Sequence, residues 1–172
     1  MKSPRLDQTT AGFAALFSLA LNDRADILYT MSYRIHTVGT IHRDASGAVL
    51  ELAPAYLDAL RGLAGFSHVM VIYWFDRNDT PEQRRTLLVH PRNNPGIPLT
   101  GVFATRSPRR PNLLGIDMAR LLSVEGNRIR IDATDALDGT PIVDVKPYIP
   151  VSDAFPEAKV PEWVHEPGED HG

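Results

Sequence analysis

Residues 116–132 hold the arrangement that most narrows the fold. Apolar Ile116 to Val124 runs into a Glu125-Gly126-Asn127 turn, and Arg128-Ile129-Arg130-Ile131-Asp132 returns. Gly and Asn both accept positive φ, as a tight hairpin turn requires. The return strand alternates strictly, so its arginines share one face and its isoleucines the other. A chain that reverses this tightly, with one wet and one dry face, is building antiparallel sheet.

The same texture covers most of the chain. Tyr33 to His42 reads as a strand with Gly39 as a bulge. An Asp44-Ala45-Ser46-Gly47 turn leads into Ala48 to Leu52. Phe66 to Phe75 is almost continuously apolar and reads as a strand buried on both faces, with His68 inside it. Arg85 to His90, Leu99 to Thr105 and Ile142 to Tyr148 complete the set, the last preceded by an Asp138-Gly139 turn. Pro54 to Leu63 has proline near its start, apolar residues at Tyr56, Leu57, Leu60 and Leu63, and a closing glycine, which predicts one short helix. Seven or eight short strands with one helix, and no GxGxxG, Walker A or HExxH pattern, exclude a βαβ rhythm. The fold class expected is mainly β, a single small closed or nearly closed β-barrel.

At 172 residues, 43% hydrophobic and 23% charged, the chain suits one globular domain that buries about two thirds of its unfolded surface. The barrel is placed at 31–152, between a weakly ordered extension over 1–30 and an acidic, proline-containing tail over 153–172. Lys2 and Arg5 before the apolar run Ala11 to Leu21 loosely imitate a signal peptide. The run lacks a cleavage site and falls short of the ~20 apolar residues of a membrane span. Neither membrane nor metal is expected as a partner. The lack of cysteine removes disulfides, thiolate metal sites and a cysteine nucleophile, and fits a cytoplasmic setting.

Charge is distributed unevenly. Residues 1–83 carry 7 basic and 9 acidic side chains, 84–130 carry 9 and 2, and 131–172 carry 2 and 10. The nine central cations are all arginine, whose fork donates paired hydrogen bonds to phosphate and planar partners. Two readings stand: a basic face neutralised by the acidic C-terminal part, or a nucleic-acid footprint.

Two stretches concentrate the chemistry. In GVFATRSPRRPNLLGID, Gly101 to Asp117, Pro108 and Pro111 fix their own φ and push Ser107 and Arg110 towards extended backbone. A loop stiffened in this way presents Arg106, Arg109 and Arg110 with little ordering entropy left to lose. In DALDGTPIVDVKPYIP, Asp135 to Pro150, alternation places Asp144, Lys146 and Tyr148 on one side and Val143 and Val145 on the other. The charged side is either a solvated pair worth ~0–1 kcal/mol or part of a polar site.

These two stretches, with GLAGFSHVMVIYWF, resemble the signature of the TsaA-like family, the TrmO-type tRNA methyltransferases, from about Tyr33 to Pro150. The resemblance implies a small β-barrel that binds S-adenosyl-L-methionine, acts as a homodimer, and methylates the exocyclic nitrogen of threonylcarbamoyl-adenosine next to the anticodon of tRNA. Carried over by motif, Phe75, Asp76, Arg106, Ile116, Ala133, Thr134, Asp135, Leu137 and Asp138 are the expected cofactor contacts. Charge, rather than the family, assigns Arg109 and Arg110 to RNA phosphates, and Asn112, which could cap the next segment or read a polar ligand edge, is grouped with them. The implied reaction is a direct displacement at the sulfonium methyl, with Asp138 or His68 as the candidate base. The chain departs from the family in two places. TVGTIHRDASGAVLEL replaces the Gln-Pro-Gly-like element after the first strand, and the C-terminal domain of longer bacterial members does not follow. Alternatives are a methyltransferase with a different acceptor, or a non-catalytic barrel that binds RNA or a small ligand.

Overall fold

The computed structural model describes residues 33–165, so the expectation for residues 1–30 lies outside the described residues. Eight strands form: β1 Gly39–Asp44, β2 Gly47–Leu52, β3 His68–Trp74, β4 Leu88–Val89, β5 Thr100–Gly101, β6 Leu114–Glu125, β7 Arg128–Ile131 and β8 Pro141–Pro147. Six of them close into a barrel in the order β1-β2-β7-β6-β3-β8, every pair antiparallel. β4 and β5 pair only with each other.

The Glu125-Gly126-Asn127 turn is the β6–β7 corner, with Gly126 at φ 59°. Asn127 fastens it to β2: its side-chain amide donates to the Leu52 carbonyl at 2.6 Å, and its own carbonyl accepts the Leu52 N–H at 2.9 Å. Ile129 and Ile131 are fully buried opposite Leu50 and Ala48, while Arg128 and Arg130 face outward to Glu51 and Asp44. Ile41, Leu50, Val69, Val71 and Ile142 fill the same interior. Each contributes ~1.5–3 kcal/mol on burial, enough to hold the register against a slip that would turn the isoleucines into water.

The structure corrects five expectations. β1 begins at Gly39, and its register with β2 is regular, so Gly39 is not a bulge. Glycine is required there because a Cβ would lie 2.3 Å from the Glu51 carbonyl oxygen. β3 is buried on one face only. Val69, Val71 and Tyr73 point inward, whereas His68 is exposed and Met70 and Ile72 pair with Met118 and Ile116 on an apolar outer face. The expected helix is two 3-10 segments, Pro54–Leu60 and Leu63–Gly65, separated by Gly62 in the left-handed region, and only Leu60 and Leu63 are buried. The strands expected over 85–90 and 99–105 shrink to β4 and β5, because no third strand pairs with them. Among the described residues two short α-helices appear instead, α1 Pro81–Arg85 and α2 Pro150–Asp153, each with proline in its first turn. In β8 a bulge lies at Val143, since Ile72 faces Asp144 and Tyr73 faces Ile142. That extra residue lets Ile142 and Val145 both reach the core while Asp144 and Lys146 pair outside at 2.7 Å. Both partners of that pair are about half exposed, which makes it the solvated pair rather than a polar site.

Candidate functional site

The end of β3 and the start of β6 form one edge of a cavity of about 320 Å³, within the ~300–1,000 Å³ usual for small-molecule sites. Its shape depends on Gly115. A Cβ there would meet the Tyr73 ring at 2.3 Å and Phe75 at 2.9 Å, so glycine alone lets the Tyr73 ring lie across β6. Tyr73 and Phe75 then pack edge to face, with centroids 5.4 Å apart.

Tyr73 is 5% exposed. Burial, then the negative charges of Asp117 and Asp135, push this phenol far above its ordinary range, so it keeps its proton. Asp117 accepts the Thr134 hydroxyl and, at 3.0 Å, the Asp135 N–H. Thr134 accepts the Ala136 N–H at 3.1 Å in turn. One carboxylate on the inward face of β6 therefore sets the backbone of 134–136, the wall carrying Asp135, Ala136 and Leu137.

The opposite wall is the arginine loop. Hydroxyls staple it: Thr105 Oγ1 accepts the Ser107 N–H and Ser107 Oγ accepts the Arg109 N–H, each at 3.2 Å. Arg110 turns inward and donates from Nη2 to the Val102 and Thr105 carbonyls, both at 2.8 Å. Its Nε is buried at the cavity wall with no hydrogen-bond partner. Arg106 lines the cavity from an exposed position. Arg84 locks the loop to the third wall, Phe75 to Asn78. It stacks over Trp74 at 5.2 Å, holds Asp79 at 2.6 Å and donates to the Pro111 carbonyl at 3.3 Å. This hydrogen bond holds the Asp79 carboxyl below its usual range.

Of the residues singled out from sequence, the fold gathers Phe75, Asp76, Arg106, Ile116, Asp135 and Leu137 around the cavity. Ala133 and Thr134 are not among its lining residues, and Thr134 is bonded to Asp117. Asp138 faces away: its Oδ1 accepts the Arg43 N–H at 2.9 Å and its carbonyl accepts Arg77 Nη2 at 3.3 Å. His68 lies five residues, roughly 16 Å, back along β3 from Tyr73, bonded to Ser67 at 2.9 Å and against the Tyr148 ring. The arrangement leaves Arg109 and Asn112 exposed, and commits Arg110 to its own loop's carbonyls. Sequence reasoning missed Asp117, Arg110 as a wall, and Tyr73. For Asp117 the signal was its place: it alternates with Gly115 and Ala119 on an otherwise dry face.

The cavity is bipolar. Arg77, Arg106 and Arg110 line it with Asp76, Asp117 and Asp135, over a body of Phe75, Leu114, Ile116 and Leu137. It suits a flat, partly apolar molecule carrying both signs of charge. Among the described residues no three His, Asp or Glu side chains are placed to hold a metal ion.

Residues 35–154 match the profile of the tRNA-methyltransferase O N-terminal domain. A probable S-adenosyl-L-methionine-binding protein of Pyrococcus horikoshii is 45% identical over 115 residues, 67% of this chain and 82% of that protein. A putative S-adenosylmethionine-dependent methyltransferase, RcsF of Pseudomonas aeruginosa, is 42% identical over 66% of this chain and 48% of its own length. The crystal structure of TrmO from Pseudomonas aeruginosa superposes with a TM-score of 0.60 at 29% identity, covering 77% of this chain. The match spans 62% of that TrmO chain.

Proposed function

The chain belongs to the family of tRNA-methyltransferase O N-terminal domains, and from that premise we propose that it is an S-adenosylmethionine-dependent tRNA methyltransferase. Its acceptor, on this reading, is the exocyclic nitrogen of threonylcarbamoyl-adenosine beside the anticodon. The observation that carries the reading is the bipolar cavity, closed by the very motif residues that resemble the family. Names borne by the relatives, an S-adenosyl-L-methionine-binding protein and a methyltransferase, agree with it.

The donor set fits the cofactor. Its amino-acid end is an ammonium and a carboxylate, its centre a positive sulfur, and its nucleoside flat. Arg106 and the unpartnered Nε of Arg110 offer donors to anionic or carbonyl oxygens. Asp117 and Asp135 supply the negative wall, and Phe75, Leu114, Ile116 and Leu137 pack the uncharged body. When bound, the cofactor supplies a methyl group made electrophilic by the sulfonium. The protein's part is orientation, worth several kcal/mol when reactants are held in line. A carbamoyl-bearing nitrogen is a poor nucleophile, so a proton acceptor helps. Asp117 is spent on the Thr134 hydroxyl and the Asp135 N–H. That leaves Asp76 and Asp135 as cavity carboxylates able to take the proton, ahead of Asp138 and His68. The same reading carries a homodimer acting in the cytoplasm; no helix among the described residues is long and apolar enough to cross a membrane.

One observation favours a second reading, a barrel that binds without turnover: neither base suggested by the sequence lines the cavity. Mass spectrometry of tRNA nucleosides from a deletion strain tests the acceptor. Loss of methylated threonylcarbamoyl-adenosine with gain of its parent is expected; unchanged levels reject it.

A further inference from the structure

The excess of arginine over 84–130 is mostly consumed within the fold. Arg84, Arg120, Arg128 and Arg130 pair with Asp79, Asp132, Glu51 and Asp44. Arg92 donates to the Val164 carbonyl, and Arg110 to Val102 and Thr105. Among the described residues, the paired carboxylates lie on the barrel strands and the loops next to them. Among the nine, the side chains of Arg85, Arg106 and Arg109 alone have no hydrogen bond or ion pair within the described residues.

The segments that carry these three meet at one exposed ring. Arg85 ends α1 two residues before Leu87, whose carbonyl accepts the Val102 N–H at 3.0 Å. Phe103 follows Val102 directly and is 84% exposed on the 3-10 turn after β5. Arg106 and Arg109 lie three and six residues further along the loop that Arg110 straps to the Val102 carbonyl at 2.8 Å. A strapped turn therefore holds an aromatic ring in water on a segment whose neighbours carry exposed arginines without side-chain partners, and Arg106 of the same loop lines the cavity.

We propose that Phe103, flanked by Arg85 and Arg109, is the platform on which an unpaired base of the RNA substrate stacks while the two arginines take neighbouring phosphates. This rests on the tRNA methyltransferase reading and adds to it the element that engages the nucleic acid. Single-stranded RNA is recognised in this way, by bases stacked on aromatic rings and backbone neutralised by arginine. Charge argues against a second copy of the chain on this face. A two-fold contact centred on Phe103 would set each arginine pair against its own copy.

Fluorescence anisotropy with a labelled anticodon stem-loop RNA tests the platform in the full chain. Phe103→Ala is expected to weaken binding roughly tenfold, and Phe103→Trp to keep it, because stacking is tolerant of ring type. The double variant Arg85→Ala, Arg109→Ala should lower the slope of log affinity against log salt by about 1.4, two single-strand phosphates. Calorimetry with S-adenosylmethionine should give wild-type cofactor affinity for Phe103→Ala, which also reports that the variant folds. Wild-type RNA affinity in Phe103→Ala overturns the platform and leaves methyl transfer standing. A change of assembled mass in light scattering for Phe103→Ala overturns it in favour of a protein interface. Failure of the unaltered chain to bind the RNA at all overturns the platform and the tRNA reading together.

Discussion

Replacing Asp117 by alanine removes the acceptor for two donors, the Thr134 hydroxyl and the Asp135 N–H. The Asp135 amide belongs to an exposed residue and can turn to water at little cost. The half-buried Thr134 hydroxyl loses a hydrogen bond to a charged group, worth ~1.5–3 kcal/mol. A loss of about 1.5–3 kcal/mol in urea unfolding follows. The 134–136 wall loses its anchor as well, so the affinity for S-adenosylmethionine, followed by calorimetry on the folded protein, should fall at least tenfold. Asp117→Asn keeps one acceptor oxygen but turns an amide donor towards other donors, and should lie between wild type and alanine in both assays. A variant Asp117→Ala with unchanged stability and unchanged cofactor affinity would refute the claim that this carboxylate organises the wall.

Gly115→Ala should perturb the same place from the other side. The added methyl collides with a buried ring, which costs ~1–3 kcal/mol or more, and cofactor affinity should drop in proportion; an unshifted melting curve would remove the steric reason for glycine. Asp138→Asn should retain most methyl transfer because its amide oxygen still accepts the Arg43 N–H, whereas Asp138→Ala should lose it together with stability; equal, near-complete loss of turnover in both, with folding intact, would return Asp138 to the role of base. Asp44 accepts from Ser46 and Arg130, and these bonds bring its carboxyl down to about 2 from 3.8, Ser46 contributing most. A depressed carboxylate stabilises the fold above its unfolded pKa and loses that contribution as pH falls through the folded one. Melting temperature should therefore fall more steeply between pH 3.8 and about 2 in wild type than in Asp44→Ala; superimposable profiles would contradict the linkage.

How far the sequence spoke depended on whether the cause was local. The β6–β7 hairpin was legible because Gly126, Asn127 and the Arg-Ile alternation all act within a few residues. Barrel closure was less so, since β8 must pair with β3 along its length and with β1 through only Gly39 and Thr40. The apolar run of β3 suggested burial on both faces, but its outer side meets another apolar strand rather than a covering layer. Motif residues Arg106, Ile116 and Asp135 did reach the cavity. Asp138 was misjudged in direction because its partner, Arg43, lies 95 residues away. Arg110 looked like a phosphate ligand by charge, yet carbonyls of its own loop hold it in the wall. Asp117 went unnoticed because its role depends on Thr134 and Asp135, 17 and 18 residues away, which the closed barrel brings to it.

The most direct test of the account is methyl transfer by the purified chain. It is incubated with methyl-labelled S-adenosylmethionine and tRNA from a strain lacking the protein, and the nucleosides are resolved by mass spectrometry. Label confined to threonylcarbamoyl-adenosine, and abolished by Arg106→Ala, is the expected result. Cofactor binding with ordinary affinity and no label in any nucleoside would contradict it and leave a binding module.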